Sequence, residues 1–162
     1  MSAREPKRRS LHDRALGLLA VRARSRRELE RRLIRAGFEA DAVSDELDRL
    51  ESVGLVDDGS FADQVVEHET RSRLSGARAV RSSLAAKGVP TATIEAAVSG
   101  IRGDEEARAS ELASSRAGRL RALDPATAFR RLSSLLVRRG YTPEVARTAA
   151  RRALELGGEP EP

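Results

Sequence analysis

One short pattern occurs three times along the 162 residues of the chain: apolar, three residues, apolar, three residues, glycine, apolar. It occupies Leu29, Leu33, Gly37 and Phe38, then Val80, Leu84, Gly88 and Val89, then Leu132, Leu136, Gly140 and Tyr141. The glycines are 51 and then 52 residues apart. A fixed period with a shared end signal is typical of tandem repeats. Each copy therefore predicts the same local structure.

The apolar residues around each copy recur at helical spacing, and glycine suits the left-handed residue that ends a helix. Start signals precede them: Ser25 has Glu28 three residues later, and Asp124 and Thr142 each precede a proline. Aromatic residues make up 2% of the chain, too few for a typical β-rich core. We predict an all-α fold of three tandem three-helix repeats, helix-turn-helix-like, in an elongated, curved array.

We place the repeats at residues 10–56, 57–102 and 103–156. Residues 1–9 are expected to form a disordered basic arm, and residues 157–162 a disordered tail. One long helix is expected over residues 104–123. The residues predicted to cap helices are Ser25, Gly37, Asp58, Gly88, Asp124, Gly140 and Thr142.

Charge divides the chain into three zones. Residues 1–37 hold 12 Lys/Arg against 4 Asp/Glu, residues 38–70 hold 1 against 11, and residues 71–162 hold 17 against 10. Basic zones are typical of proteins that bind a polyanion or an acidic protein, although arginines that only solvate helix faces explain the same numbers. Cysteine is absent, and no apolar run approaches the roughly 20 residues that span a bilayer. We expect a cytoplasmic monomer without membrane contact.

The arginines follow the repeat. Arg27, Arg78 and Arg130 each stand ten residues before the glycine of their repeat. We predict that the middle helices present one discontinuous basic surface that contacts phosphates or an acidic partner. The candidate contact residues are Arg26, Arg27, Arg31, Arg35, Arg78, Arg81, Lys87, Arg130, Arg131, Arg138 and Arg139.

Two adjacent aspartates, Asp57 and Asp58, are the strongest candidates for catalytic or metal chemistry. In a calcium loop that starts at Asp57, positions three and five would be Gly59 and Phe61, which offer no side-chain oxygen. We therefore interpret Asp58 as the cap of the helix that follows, bonded to the amides of Ser60 or Phe61. Loss of such a cap costs about 1 kcal/mol.

Other catalytic chemistry finds little support. His12 and His68 are the only histidines and fall in different repeats. The chain contains neither G-x-x-x-x-G-K-[ST] nor G-x-G-x-x-G, the glycine-rich loops that bind nucleotide phosphates. We predict no enzymatic activity, no metal site and no cofactor.

These features together resemble the RecX family, bacterial regulators of the RecA recombinase, over roughly residues 13–154. The segment ALGLLAVRARSRRELERRL is similar to the signature of the family's first unit, and LVRRGYTPEVA to the end of its last unit. Val56 stands where the family often has an aromatic residue, and RSRLSG replaces a longer basic segment. The second-unit pattern is carried by Asp58, Phe61, Ala62, Gly76, Leu84, Lys87 and Gly88.

The resemblance implies a protein that binds RecA filaments on single-stranded DNA. It would modulate, mainly inhibit, the RecA ATPase, strand exchange and co-protease activity, and so regulate homologous recombination and the SOS response. Direct contact with the DNA backbone stays open. The alternatives are a tandem helix-turn-helix module that binds DNA without RecA, and a helical scaffold for another protein.

Overall fold

In the computed structural model, which describes residues 10–156, the chain forms nine α-helices and no strand. The helices are α1 (Leu11–Val21), α2 (Arg26–Arg35), α3 (Ala40–Ser52), α4 (Asp58–Glu67), α5 (Ala77–Ala86), α6 (Thr91–Ser99), α7 (Glu105–Ala117), α8 (Pro125–Arg138) and α9 (Pro143–Leu156). The predicted arm and tail lie outside the described residues.

Each set of three consecutive helices encloses its own apolar core. The first core contains Leu29 and Leu33 of α2, the second Val80 and Leu84 of α5, and the third Leu132 and Leu136 of α8, all fully buried. These six residues are the apolar positions of the repeated pattern, so the middle helix of each set lies against its own core. The predicted all-α repeat fold is confirmed, whereas the boundaries at residues 56 and 102 stay predictions.

The turn after each middle helix has the same geometry in all three repeats. The backbone N–H groups of Phe38, Val89 and Tyr141 each donate to the carbonyl five residues earlier, at 3.2 Å. The glycine before each of them has a left-handed φ, of 96°, 75° and 93° for Gly37, Gly88 and Gly140. Bonds of this kind satisfy carbonyls that a helix end leaves free.

Repeat 3 differs from the other two at the start of its middle helix. Ser25 and Gly76, the N-caps of α2 and α5, lie twelve residues before their glycines, whereas Asp124, the N-cap of α8, lies sixteen residues before Gly140. The helix α8 is therefore longer by about one turn. The residue equivalent to Ser25 and Gly76 is Ala128, which lies inside α8.

One helix end departs from the sequence prediction. The long helix expected over residues 104–123 ends at Ala117 and gives way to a tight 3₁₀ turn at Gly118–Leu120. Glycine is a poor helix former, which favours an end at this point. The helix α4 continues as one π turn over His68–Ser72, which buries Glu69 where its carboxylate accepts a hydrogen bond from Ser75.

Candidate interaction surface

The cap of α4 is Asp57, so the prediction that Asp58 caps this helix is wrong. The Asp57 carboxylate accepts a 3.0 Å hydrogen bond from the backbone N–H of Ser60 and a second one from the Ser60 hydroxyl. These bonds, the backbone one first, hold the pKa of Asp57 below its ordinary value. Asp58 is instead the first residue of α4, and its side chain points to a different helix.

Asp58 caps α2, in the preceding repeat. Its Oδ1 accepts a hydrogen bond of 2.9 Å from the backbone N–H of Arg26, the first residue of α2. The next junction has the same arrangement: Glu105, the first residue of α7, accepts a 3.0 Å bond from the backbone N–H of Ala77, the first residue of α5. An anion at a helix N-terminus is stabilised by free N–H groups and by the helix dipole. Each carboxylate therefore links two neighbouring repeats.

The glycine turns of repeats 2 and 3 form the second part of these junctions. At the first junction, the Ser25 hydroxyl donates to the carbonyl of Lys87, and the Arg27 side chain lies where Gly88 would carry a Cβ. At the second, the backbone of Ala79 occupies the same position beside Gly140. A side chain at Gly88 or Gly140 would therefore overlap the preceding repeat, and it would also have to adopt a left-handed φ.

The second junction has more bonds than the first. Gly76 N–H donates to the carbonyl of Arg139 at 2.8 Å, and Arg78 N–H to that of Gly140 at 3.2 Å. Buried Tyr141 adds a 2.6 Å bond from its hydroxyl to the Leu74 carbonyl, and its burial raises the pKa of this phenol to about 12. Within residues 10–156, no backbone pair of this kind joins repeats 1 and 2.

Ser25 makes one of the two hydrogen bonds of a capping box. Its hydroxyl accepts from the backbone N–H of Glu28 at 3.1 Å, but the Glu28 carboxylate binds Arg22, Arg24 and Arg32. Burial alone would raise the pKa of Glu28, but hydrogen bonds from Arg24 and then Arg22 outweigh it and lower this pKa. The cluster fastens the α1–α2 loop, because Arg24 is buried and also donates to the Leu18 carbonyl.

Several predicted contact arginines bind carboxylates inside their own repeat. Arg26 pairs with Asp48 and Glu51 of α3 and so joins two helices. The sequence predicted it as a contact residue for a partner, but its charge is already neutralised within repeat 1. Arg81 pairs with Glu95 of α6 in the same way. Arg27 is 58% exposed and pairs with Glu30 at 3.3 Å, while its stem packs at Gly88.

The other candidates make no ion pair within residues 10–156. Most of them are exposed on a middle helix, and Lys87 and Arg139 are half-buried beside the glycine turns. This group therefore retains positive charge that no carboxylate within residues 10–156 neutralises, and its contact with a partner stays a prediction. The exposed members are Arg31, Arg35, Arg78, Arg130, Arg131 and Arg138.

The remaining predicted caps have the expected geometry. Asp124 accepts from the backbone N–H of Thr127 at 3.0 Å, and Thr142 from that of Val145 at 3.3 Å. Sequence reasoning missed Glu105 and Gly76, because their bonding partners lie in other repeats. Among the described residues, no group of three or more acidic or histidine side chains is placed to hold a metal ion, and no helix has the length and apolar character needed to cross a bilayer.

Comparison with known proteins agrees with the three-helix units. A family model described as the first three-helix domain of RecX matches residues 12–50, and the model of the second three-helix domain matches residues 57–98. The chain is 40% identical to the "Regulatory protein RecX" of Mycobacterium avium over 146 residues, which cover 89% of this chain and 83% of the relative. The chain belongs to the RecX family. The RecX protein of Streptomyces coelicolor is 37% identical over 145 residues, covering 89% of this chain and 77% of the relative.

Solved structures of RecX proteins have the same fold. The crystal structure of RecX from Lactobacillus salivarius superimposes with a TM-score of 0.80 at 20% identity, covering 90% of this chain and 95% of that chain. A second crystal structure, of a regulatory protein RecX, gives a TM-score of 0.77 at 20% identity, covering 87% and 70%. The agreement extends beyond the two family models, so repeat 3 is part of the shared RecX fold.

Proposed function

We propose that the chain is a non-enzymatic regulator that binds RecA filaments on single-stranded DNA in the cytoplasm. It would mainly inhibit the RecA ATPase, strand exchange and co-protease activity. The observation that carries the proposal is the identity of about 40% to a regulatory RecX protein over 89% of the chain. Such coverage favours a shared role for all three repeats.

The charge distribution supports a surface-binding role. Exposed arginines without a carboxylate partner in residues 10–156 occur in all three repeats, for example Arg35, Arg78 and Arg131. The exposed face of α3 carries Asp41 and Asp45. A filament offers many copies of one surface, and an array of similar units could contact more than one of them. Basic and acidic faces would then meet complementary faces of RecA.

A tandem helix-turn-helix reader is the second candidate, and the third helices argue against it. In such proteins the N-terminal residues of the recognition helix contact base edges, with Arg, Lys, Asn or Gln as the common readers. The first turns of α3, α6 and α9 contain none of these four residue types. Helix α3 also carries six acidic residues against Arg49, counting its N-cap Glu39, and DNA phosphates would repel it.

The deciding experiment is a titration of RecA ATP hydrolysis on single-stranded DNA with this protein, together with co-sedimentation of the filament. We expect hydrolysis to fall and the protein to sediment with the filament at low salt. Unchanged hydrolysis with no co-sedimentation would overturn the proposal. Tight, sequence-dependent binding to bare duplex DNA in its place would favour the second candidate.

Matched triple variants test the predicted basic surface. Arg31, Arg35 and Arg78 are exposed and make no ion pair within residues 10–156, so their replacement by Ala should weaken inhibition. The control is the Arg49→Ala, Arg71→Ala, Arg102→Ala variant, which removes the same charge from exposed arginines that each bind a carboxylate. Equal losses in the two variants would mean that only net charge matters.

A further inference from the structure

A cleft of about 420 Å³ lies at the junction of repeats 1 and 2. Arg22 and Ala23, in the loop between α1 and α2, form the side of the cleft that belongs to repeat 1. The side that belongs to repeat 2 is formed by α4, the π turn that follows it and the end of α5. Small-molecule sites have volumes of about 300–1,000 Å³, so this junction cleft has room for one small ligand.

The junction cleft carries more positive than negative charge. Arg22, Arg73 and Lys87 line it, and Glu69 is the only carboxylate among its described lining residues. Glu69 is buried and already bound, because it accepts hydrogen bonds from the Ser75 hydroxyl at 2.7 Å and from Arg73 at 3.1 Å. The side chains that remain for a ligand are therefore mainly cationic, and they favour an anion.

Lys87 and Arg22 are the two cations of the cleft that could neutralise such an anion. Lys87 is half-buried and makes no ion pair within residues 10–156. The dipole of α5 favours a cation at this C-cap, but it does not require the side chain to line a cleft. Arg22 shares the carboxylate of Glu28 with Arg24 and Arg32, so three guanidinium groups use one anion.

The backbone of the cleft wall departs from regular helix geometry. The π turn at His68–Ser72 supplies His68 and Glu69 to the wall, and Arg73 ends it. The first helices of the other two repeats, α1 and α7, are not followed by a π turn. Because π turns are rare and occur frequently at functional sites, this one favours a ligand-binding role for the wall that contains it.

The cleft lies at the junction that has fewer bonds of its own. Backbone pairs such as Gly76 N–H to the Arg139 carbonyl join repeats 2 and 3, and no such pair joins repeats 1 and 2 within residues 10–156. A ligand bound to Arg22 on one side and to Lys87 on the other would link the two repeats. Since such a ligand binds only when both sides are in place, it would stabilise their docked arrangement.

We propose that the junction cleft binds a nucleoside phosphate, which bridges repeats 1 and 2. The guanidinium group of Arg22 and the ammonium group of Lys87 suit the oxygens of a phosphate. Gln64 and His68 offer hydrogen-bonding groups to a base or a sugar, and Val65 offers apolar surface. The inference goes beyond the regulation of RecA and does not rest on it.

The test is isothermal titration calorimetry of the full chain with ADP and with UDP, together with thermal melting. RecA and DNA are absent, so a failure leaves the proposed regulation of RecA standing. Adenosine, inorganic pyrophosphate and oligothymidylate are titrated in the same way. The variants are Lys87→Met and Arg22→Met. The control is Arg102→Met, which removes the same charge from an exposed arginine outside the cleft that pairs with Glu95.

We expect at least one of the two nucleotides to bind at a single site and to raise the melting temperature. Lys87→Met and Arg22→Met should each weaken this binding at least about tenfold, the effect of losing one hydrogen bond to a charged group. Arg102→Met should retain most of the affinity. Adenosine and pyrophosphate should each bind more weakly than the nucleotide, because each of them lacks one part of the ligand.

Amide hydrogen exchange tests the bridge between the repeats. The backbone N–H of Arg26 bonds to Asp58 across the junction, so bound nucleotide should slow exchange in the first turn of α2. The Arg22→Met variant should still fold, because Arg24 and Arg32 continue to bind Glu28. Exchange in α2 that bound nucleotide leaves unchanged would contradict the bridge.

Three results would overturn the binding site itself. One is the absence of heat and of a melting shift with both ADP and UDP, which needs no variant. Another is a loss in Arg102→Met equal to the loss in the two cleft variants, or no loss in either cleft variant. The third is binding of oligothymidylate that is tighter than that of the nucleotides and is weakened by the cleft variants, which would assign the cleft to nucleic acid.

Discussion

The carboxylate of Asp58 accepts a hydrogen bond of 2.9 Å from the backbone N–H of Arg26, 32 residues earlier in the chain. Replacing Asp58 with Ala should lower the free energy of unfolding by about 1–3 kcal/mol, the usual cost of losing a hydrogen bond to a charged group. Urea unfolding measures this loss. Amide hydrogen exchange should also quicken in the first turn of α2, although the substitution is at the start of α4.

Asp57→Ala is the control, because Asp57 caps its own helix. It should quicken exchange in the first turn of α4 and leave α2 unaffected. Asp58→Asn keeps an oxygen acceptor and should retain part of the stability lost in Asp58→Ala. If Asp58→Ala quickened exchange only in α4, the link between repeats 1 and 2 would be wrong.

The three turn glycines form a graded series for stability. Alanine at any of them must adopt a left-handed φ, which costs roughly 1–2 kcal/mol. No atom outside the adjoining residues lies within 4 Å of the position that a Cβ on Gly37 would take, so Gly37→Ala should cost only this strain. Gly140→Ala should cost more by about 1–3 kcal/mol, because its Cβ would overlap the backbone of Ala79.

The stability lost in Gly88→Ala should lie between the losses in Gly37→Ala and Gly140→Ala. The atoms that its Cβ would overlap belong to the side chain of Arg27, which can move aside. Chemical denaturation of the three variants under the same conditions gives the order. Equal losses at Gly37 and Gly140 would show that the close packing at the second junction contributes nothing to stability.

Tyr141→Phe removes the bond to the Leu74 carbonyl and should cost about 1 kcal/mol at neutral pH. The difference in stability between Tyr141→Phe and the unmodified protein should become smaller at high pH. Because the pKa of Tyr141 is raised from 10 to about 12 in the folded protein, the unfolded chain loses this proton first as the pH rises. The unmodified protein should therefore lose stability between pH 10 and 12.

Thermal melting of both proteins from pH 8 to pH 11.5 checks this effect, at pH values chosen about the ordinary and raised pKa. The gap in melting temperature should narrow above pH 10, because the Tyr141→Phe variant has no phenol to ionise at this position. Other groups titrate equally in the two proteins and cancel in the difference. A constant gap would contradict the burial of this hydroxyl in a site that disfavours its ionised form.

Glu28→Gln should destabilise repeat 1 by about 1–3 kcal/mol, because it leaves the buried Arg24 without its ionic partner. The folded protein lowers the pKa of Glu28, so its contribution is present above the ordinary value of 4.5 and disappears as the pH falls through the lowered one. The gap between the two proteins should thus close in acid. Melting curves from pH 7 down to about pH 3 test it.

Local patterns in the sequence were sufficient to predict the repeats. The pairs Leu29–Leu33 and Leu132–Leu136 fall on the buried side of their helices, and the following glycines end those helices, since both features depend on neighbours within a few residues. The sequence could not show that Asp58 serves a helix of the preceding repeat. That bond depends on how two repeats dock, and no residue near Asp58 in the sequence indicates this docking.

The basic character of the middle helices was predictable from the sequence, but the carboxylate partner of each arginine was not. Charge and period indicated arginine on the middle helices, yet Arg26 binds Asp48 and Glu51 of the next helix. Whether an arginine is free depends on which carboxylates the fold brings near it.

The extra turn at the start of α8 removes from repeat 3 the hydrogen-bond donor that links the earlier repeats. In repeats 1 and 2 the residue after the N-cap offers a free N–H to a carboxylate of the next unit, at Arg26 and Ala77. The equivalent residue of repeat 3, Phe129, lies inside α8, where its N–H belongs to the hydrogen bonds of the helix itself. A duplicated fourth unit, or the first unit of another molecule, would find no such donor at this place. A unit that docked at this end would therefore need a contact different from the carboxylate caps that join repeats 1 to 2 and 2 to 3.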